Sequence, residues 1–86
     1  MREIKLFDTV ALIHSVPRKR LTLVEPDYDM VSSLPSGQVG TVVEVYEKDS
    51  RHQYLVEFSD SQGREYAMAV LSADEFLVLH YELEVA

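Results

Sequence analysis

The alternation of side chains between residues 38 and 47 constrains the fold more than any other feature of this chain. In an extended strand, successive side chains point to opposite faces of the sheet. One face would carry Val39, Thr41, Val43 and Val45, and the other would carry Val42, Glu44 and Tyr46. Gly37 and Gly40 stand at the start of the segment, where glycine permits the bends that a small barrel needs. The segment therefore predicts a long β-strand at the centre of an all-β fold.

Two polar turns connect this strand to two further strands. Residues 48–51 and 59–63 are rich in turn-forming side chains, and Gly63 suits the left-handed position of a hairpin bulge. Residues 53–58 place Tyr54, Val56 and Phe58 on one face, and residues 64–71 are apolar on both faces.

Strands are also predicted at residues 9–14 and 76–85, and a single helical turn, with Ser72 as its cap, at residues 72–75. A three-stranded meander leaves both of its edges unpaired, and closure by the first and last strands removes them. The pattern therefore predicts an all-β, five-stranded SH3-like barrel.

Residues 18–36 form the irregular part of the pattern. Pro26 and Pro35 interrupt it, residues 21–24 predict a short strand, and residues 28–34 predict a helical turn with Asp27 as its cap. Long loops are uncommon in compact domains and often carry function. We therefore expect this loop to contribute to binding.

The composition indicates one small soluble domain. The chain has 86 residues and no cysteine, so a single domain over residues 1–86 must be held together by packing alone. No apolar run approaches the roughly 20 residues of a membrane helix, and charges interrupt residues 1–8, where a signal peptide would be apolar. These features predict a cytoplasmic protein without a membrane segment.

The charge is acidic overall and unevenly distributed. The formal net charge is −7, with +3 over residues 1–24 and −10 over residues 25–86. Because nucleic-acid binding depends on neutralising phosphates, this balance disfavours it. Arg18, Lys19 and Arg20 form the one basic triplet and are the candidate phosphate contacts; a solvated loop is the simpler interpretation.

The pattern contains no catalytic or metal-binding motif. His14, His52 and His80 fall in three different elements, and no nucleophile elbow, phosphate loop or helical metal pair accompanies them. The acidic residues between Glu25 and Asp29 lack the glycine and the distal glutamate of a calcium loop. We predict no enzyme activity, no metal and no cofactor.

Residues 5–12, 37–46 and 54–58, together with Gly63, resemble a family of short bacterial proteins of unknown function that is common in cyanobacteria. The resemblance implies a fold and no established chemistry. Some members are encoded beside a second small protein, which implies an antitoxin or immunity role. Residues 37–46 also resemble the KOW motif of SH3-like barrels, which implies an alternative role in RNA or ribosome binding.

The last predicted strand is about twice the length that a five-stranded barrel requires. Its end would expose Tyr81, Leu83 and Val85, which could pair with another chain or fold back over the long loop; the pattern leaves both options open. We predict a protein-binding module, an antitoxin, immunity or accessory partner of a basic protein, that self-associates through this strand. The predicted partner contacts are Tyr28, Asp29, Met30, Tyr81, Leu83 and Val85.

Overall fold

The computed structural model describes residues 4–24 and 31–79, and these residues form β-structure with two short 3-10 turns. The strands are β1 (Thr9–Leu12), β2 (Val16–Pro17), β3 (Leu21–Leu23), β4 (Ser33–Leu34), β5 (Val39–Lys48), β6 (Arg51–Ser59), β7 (Glu65–Leu71) and β8 (Phe76–Leu79). The 3-10 turns are Arg18–Arg20 and Ala73–Glu75. The prediction of an all-β fold is confirmed.

Six strands form one antiparallel sheet in the order β3-β7-β6-β5-β1-β8, and β2 pairs with β4 in a small second sheet. The sheet thus has six strands rather than the predicted five, because Leu21–Leu23 adds to β7 as a further strand. The first strand does pair with the last, but β3 and β8 remain as edges and the sheet is not closed.

The two central hairpins form at the predicted turns. Asp49 and Ser50 both have positive φ, at 52° and 65°, which is the conformation of the two-residue turn that matches strand twist. Gly63 has φ 80°, as predicted for the left-handed position. These turns set the register in which β6 pairs with β5 on one side and β7 on the other.

The core lies on one face of the sheet and is entirely apolar among the described residues. Phe58, Val56 and Val42 are fully buried, and Tyr54 and Phe76 meet edge to face at 5.7 Å between ring centroids. The other buried side chains are Val10, Leu12, Val16, Leu34, Tyr66, Ala67, Ala69 and Leu71. The prediction that Tyr54, Val56 and Phe58 share one face of β6 is confirmed, and the structure shows that this face packs against the core.

The strict alternation predicted for β5 is wrong. Val42 pairs with Val56 and Glu44 with Leu55, so Val43 is the extra residue of a β-bulge. The bulge lets Val42 and Val45 both face the core, whereas Val39 is 46% exposed. The predicted face of Val39, Thr41, Val43 and Val45 therefore divides between the two sides of the sheet.

Gly40 is required by the close approach of β6. A Cβ atom at Gly40 would lie 2.7 Å from Val56 Cγ1 and 2.8 Å from the carbonyl oxygen of Glu57. Because one of these contacts is backbone, the neighbouring strand would have to move. The glycine thus lets β5 and β6 pack closely beside the buried Val56 and Phe58.

The described part of the predicted long loop contains a 3-10 turn and two short strands. The strand at Leu21–Leu23 is confirmed, and Val16 pairs with Leu34. A helical turn does not extend to Leu34, because Ser33–Leu34 is a strand. Asp27 and the rest of residues 25–30 lie outside the described residues.

The predicted helical turn before the last strand is present as Ala73–Glu75. Ser72 occupies the N-cap position as predicted, but its hydroxyl donates to the Asp74 carboxylate instead of accepting a backbone N–H. In β8, Phe76 is buried and Leu77 is 60% exposed. The predicted strand beyond Leu79, residues 80–85, lies outside the described residues.

Candidate interaction surface

The six predicted partner contacts cannot be placed on this fold. Tyr28, Asp29, Met30, Tyr81, Leu83 and Val85 all lie outside the described residues. Their role in binding stays a prediction. The candidate site is therefore built from the surface that residues 4–24 and 31–79 present.

The basic triplet forms the exposed 3-10 turn Arg18–Arg20. The Arg20 guanidinium donates to both carboxylate oxygens of Glu75, at 3.1 and 2.9 Å, and to the carbonyl oxygen of Val70. Arg20 directly precedes the edge strand β3 and Glu75 directly precedes the edge strand β8, so the ion pair connects the two edges of the sheet. Phosphate binding by the triplet stays a prediction, and Arg20 already has a role in the fold.

We call the face of the six-stranded sheet opposite the core the outer face. At the end of the sheet formed by β5, β1 and β8, Ala11 on β1 pairs with Val39 on β5 and with Leu77 on β8, which aligns three apolar side chains in one row. Val39 and Leu77 are among the most exposed large apolar side chains of the described residues. The face continues over β6 and β7 with Leu55, Met68 and Val70. The outer face thus carries apolar side chains on β1, β5, β6, β7 and β8.

Carboxylates interrupt the apolar area of the outer face. Glu44, Glu57 and Glu65 lie on it, and its basic side chains, Lys48 and Arg51, lie at the tip of the β5–β6 hairpin. The pKa of Glu57 is raised above 4.5, first by burial and then by a hydrogen bond and charge repulsion from Glu65. The central part of the outer face is therefore both apolar and acidic.

The described histidines do not form a catalytic arrangement. His52 Nε2 lies 3.0 Å from a Glu47 carboxylate oxygen on the exposed hairpin, and His14 lines a small cavity with Arg20 and Glu75. No group of three metal-binding side chains occurs within residues 4–24 and 31–79. The absence of enzyme activity, metal and cofactor remains a prediction.

A cavity of about 310 Å³ lies between the small sheet and the β6–β7 turn. Tyr66 forms one wall, and its pKa is raised by burial and then by the nearby Asp60 carboxylate. Asp60 Oδ1 accepts the backbone N–H groups of Gln62 and Arg64 at 2.9 Å each. Asp60 thus holds the turn that borders the cavity, and this structural role accounts for its position.

The turn before β1 presents an aromatic side chain that the sequence patterns did not single out. The N–H of Asp8 donates to the carbonyl oxygen of Lys5 at 3.1 Å, and the N–H of Phe7 donates to the carbonyl oxygen of Val42 at 2.6 Å. Phe7 has φ 69° and is 72% exposed, the highest exposure among the large apolar side chains described. No sequence signal would have identified it, because a residue other than glycine is rarely expected in this conformation.

Within the part of the chain that the structure describes, no helix is long and apolar enough to cross a membrane.

Comparison with known proteins identifies one family. The model of a domain of unknown function, DUF4926, matches residues 6–78 of this chain. This range covers all eight strands apart from the last residue of β8. No curated protein and no solved structure matches the chain.

Proposed function

Because the chain belongs to the DUF4926 family, whose function is unknown, we propose from its geometry that it is a protein-binding module for a basic partner. The observation that carries the proposal is the outer face, where the exposed apolar side chains of Val39, Val70 and Leu77 lie on the same side of the sheet as the carboxylates Glu44, Glu57 and Glu65. A partner with lysine or arginine side chains around an apolar patch would be complementary to it.

The energetics favour a protein partner over simple solvation of this face. Exposed apolar area flanked by polar side chains is typical of interaction surfaces, since burial removes that area from water. Complementary charges speed association and exclude wrong partners. The proposal therefore assigns the affinity to the row of Val39, Ala11 and Leu77 and the choice of partner to the carboxylates.

In more detail, we propose that the chain is a short bacterial protein with an SH3-like barrel. It would act as an antitoxin, an immunity protein or an accessory subunit. The pairing of β1 with both β5 and β8 and the 3-10 turn before β8 support the barrel relationship. The net charge of −7 supports a basic partner. RNA or ribosome binding through Arg18, Lys19 and Arg20 is the alternative, and the same charge disfavours it.

The test is capture of binding proteins from the native host with two charge-matched variants. The first variant, Glu44→Gln, Glu57→Gln, Glu65→Gln, neutralises the outer face. The control, Glu47→Gln, Asp49→Asn, Asp74→Asn, removes the same charge elsewhere on the chain. We expect the wild type and the control to retain one basic protein and the outer-face variant to lose it.

Three results would contradict the proposal. Equal loss of the basic protein in both variants would show a general effect of net charge. Recovery of RNA or ribosomes that depends on Arg18, Lys19 and Arg20 would favour the alternative. A dimer of the wild-type protein in light scattering that the outer-face variant breaks would make a second copy the occupant of this face.

A further inference from the structure

The backbone at Phe7 has a conformation that normally belongs to glycine. Lys5 to Asp8 form a β-turn in which Phe7 is the third residue, and a positive φ there is the mark of a type II turn, which favours glycine or asparagine. Phe7 donates to the carbonyl oxygen of Val42, while the N–H of Val42 donates to the carbonyl oxygen of Asp8, at 3.0 Å. Phe7 and Asp8 thus lie opposite the single residue Val42, as in the β-bulge whose first position is usually glycine.

The fold gives no reason for an aromatic side chain at this position. The turn is held by backbone hydrogen bonds and by the Asp8 carboxylate, which accepts the N–H of Lys5 at 2.9 Å. The Phe7 ring is 72% exposed, so little burial offsets the unfavourable backbone conformation. Strained residues that persist without a structural benefit are concentrated at functional sites.

We propose that Phe7 is an aromatic anchor that inserts into an apolar pocket of the basic partner. This inference rests on the proposed function. The backbone of Phe7 bonds to that of Val42, two residues before Glu44, so the turn that carries the ring lies close along β5 to a carboxylate of the outer face. The partner pocket is therefore expected to be apolar inside and basic at its rim.

The turn prepares the anchor for binding. Because hydrogen bonds on both sides of Phe7 fix the backbone, the turn that carries the ring is presented without first having to be ordered. A backbone ordered before binding loses less entropy in the complex, which raises affinity. Aromatic side chains that fill a partner pocket commonly supply a large share of the binding energy. The neighbouring Leu6, which is also exposed, extends the apolar contact.

The experiment uses three substitutions in the full chain. Phe7→Asn and Phe7→Gly relieve the backbone and remove the ring, whereas Phe7→Tyr keeps both the ring and the strain. We expect the first two to raise the melting temperature by about 4–8 °C. We also expect them to lower the yield of the captured basic protein at least tenfold. Phe7→Tyr should leave both quantities near wild type.

The results separate this inference from the proposed function. If Phe7→Asn captures the basic protein as well as the wild type does, Phe7 is no anchor, although the outer-face proposal survives. If neither Phe7→Asn nor Phe7→Gly raises the melting temperature, the strain argument is wrong. If the wild type retains no basic protein that depends on the outer face, both proposals are wrong. Higher stability together with lost capture supports the anchor.

Discussion

The two faces of strand β6 differ in how far the rest of the chain buries their side chains. On the inner face, Tyr54, Val56 and Phe58 are buried. On the outer face, Leu55 and Glu57 are only half-buried, although they occupy the same strand between the same two neighbours. The fold thus buries the inner side chains of this central part of β6, whereas the outer face leaves apolar side chains and carboxylates partly exposed side by side.

Under the proposed function, this difference assigns stability to one face of the sheet and binding to the other. Burial of apolar area is the main favourable term in folding, and the inner face supplies most of it. The outer face keeps apolar area in contact with water and brings the carboxyl groups of Glu57 and Glu65 together. A partner that covers this face would bury the apolar area and supply the missing positive charge.

The sharpest test of the comparison removes one side chain from each face of β6. Phe58 is fully buried, so Phe58→Ala should lower the free energy of unfolding by about 3–5 kcal/mol. Leu55 is half-buried, and Leu55→Ala should cost well under half of that amount. Urea denaturation of both variants measures the difference.

Equal losses of unfolding free energy in the two variants would contradict the difference between the faces, because they would mean that the outer face is packed as tightly as the core. An m-value unchanged from wild type is the control that both variants unfold from the same native state. If Phe58→Ala does not fold, Val56→Ala is the milder substitution on the same face of the same strand.

The second prediction concerns the sheet edges, where the two faces meet. Arg20 and Glu75 are partly exposed, at 40% and 27%, so their ion pair should contribute at most about 1 kcal/mol. A double-mutant cycle with Arg20→Ala and Glu75→Ala isolates the coupling between the two side chains. Additive losses in this cycle would show that the ion pair does not hold the edges together.

The sequence predicted most accurately those elements whose structure depends on neighbouring residues in the chain alone. In β6, the alternation placed Tyr54, Val56 and Phe58 on one face, and this grouping held because no bulge interrupts the central part of that strand. The turns at Asp49 and Gly63 were equally predictable, since turn chemistry depends on a few adjacent residues. These elements place the outer face as well, because alternation fixes both sides of a strand.

The sequence did not predict the features that depend on contacts with residues distant in the chain. The bulge at Val43 follows from how β5 pairs with β6, and nothing in β5 itself marks which valine is extra. Leu21–Leu23 was expected as a short strand, but its addition to β7 is a long-range pairing that made the sheet six-stranded. The exposed ring of Phe7 was also missed, because its conformation depends on hydrogen bonds to Val42.

The smallest expected effect concerns Glu57, whose ionised carboxylate should lower the free energy of unfolding at neutral pH. Its pKa is raised in the folded protein, chiefly by burial and then by Glu65, so the folded state favours the protonated carboxyl. The associated stability is fully present below the ordinary pKa of 4.5 and is lost as the pH rises through the raised value. Glu57→Gln cannot ionise and should keep that stability at neutral pH.

We therefore expect Glu57→Gln to be more stable than wild type by about 0.2–1 kcal/mol at neutral pH, with the difference disappearing in acid. Urea denaturation of both proteins at neutral pH and in acid measures this difference in the free energy of unfolding. Glu65→Gln removes the charge and hydrogen bond but not the burial, so it should reproduce only part of the effect. A gain that is independent of pH would show that ionisation is not its cause. A gain in stability combined with lost capture of the basic partner would mean that Glu57 is kept on the outer face for binding, at the expense of folding.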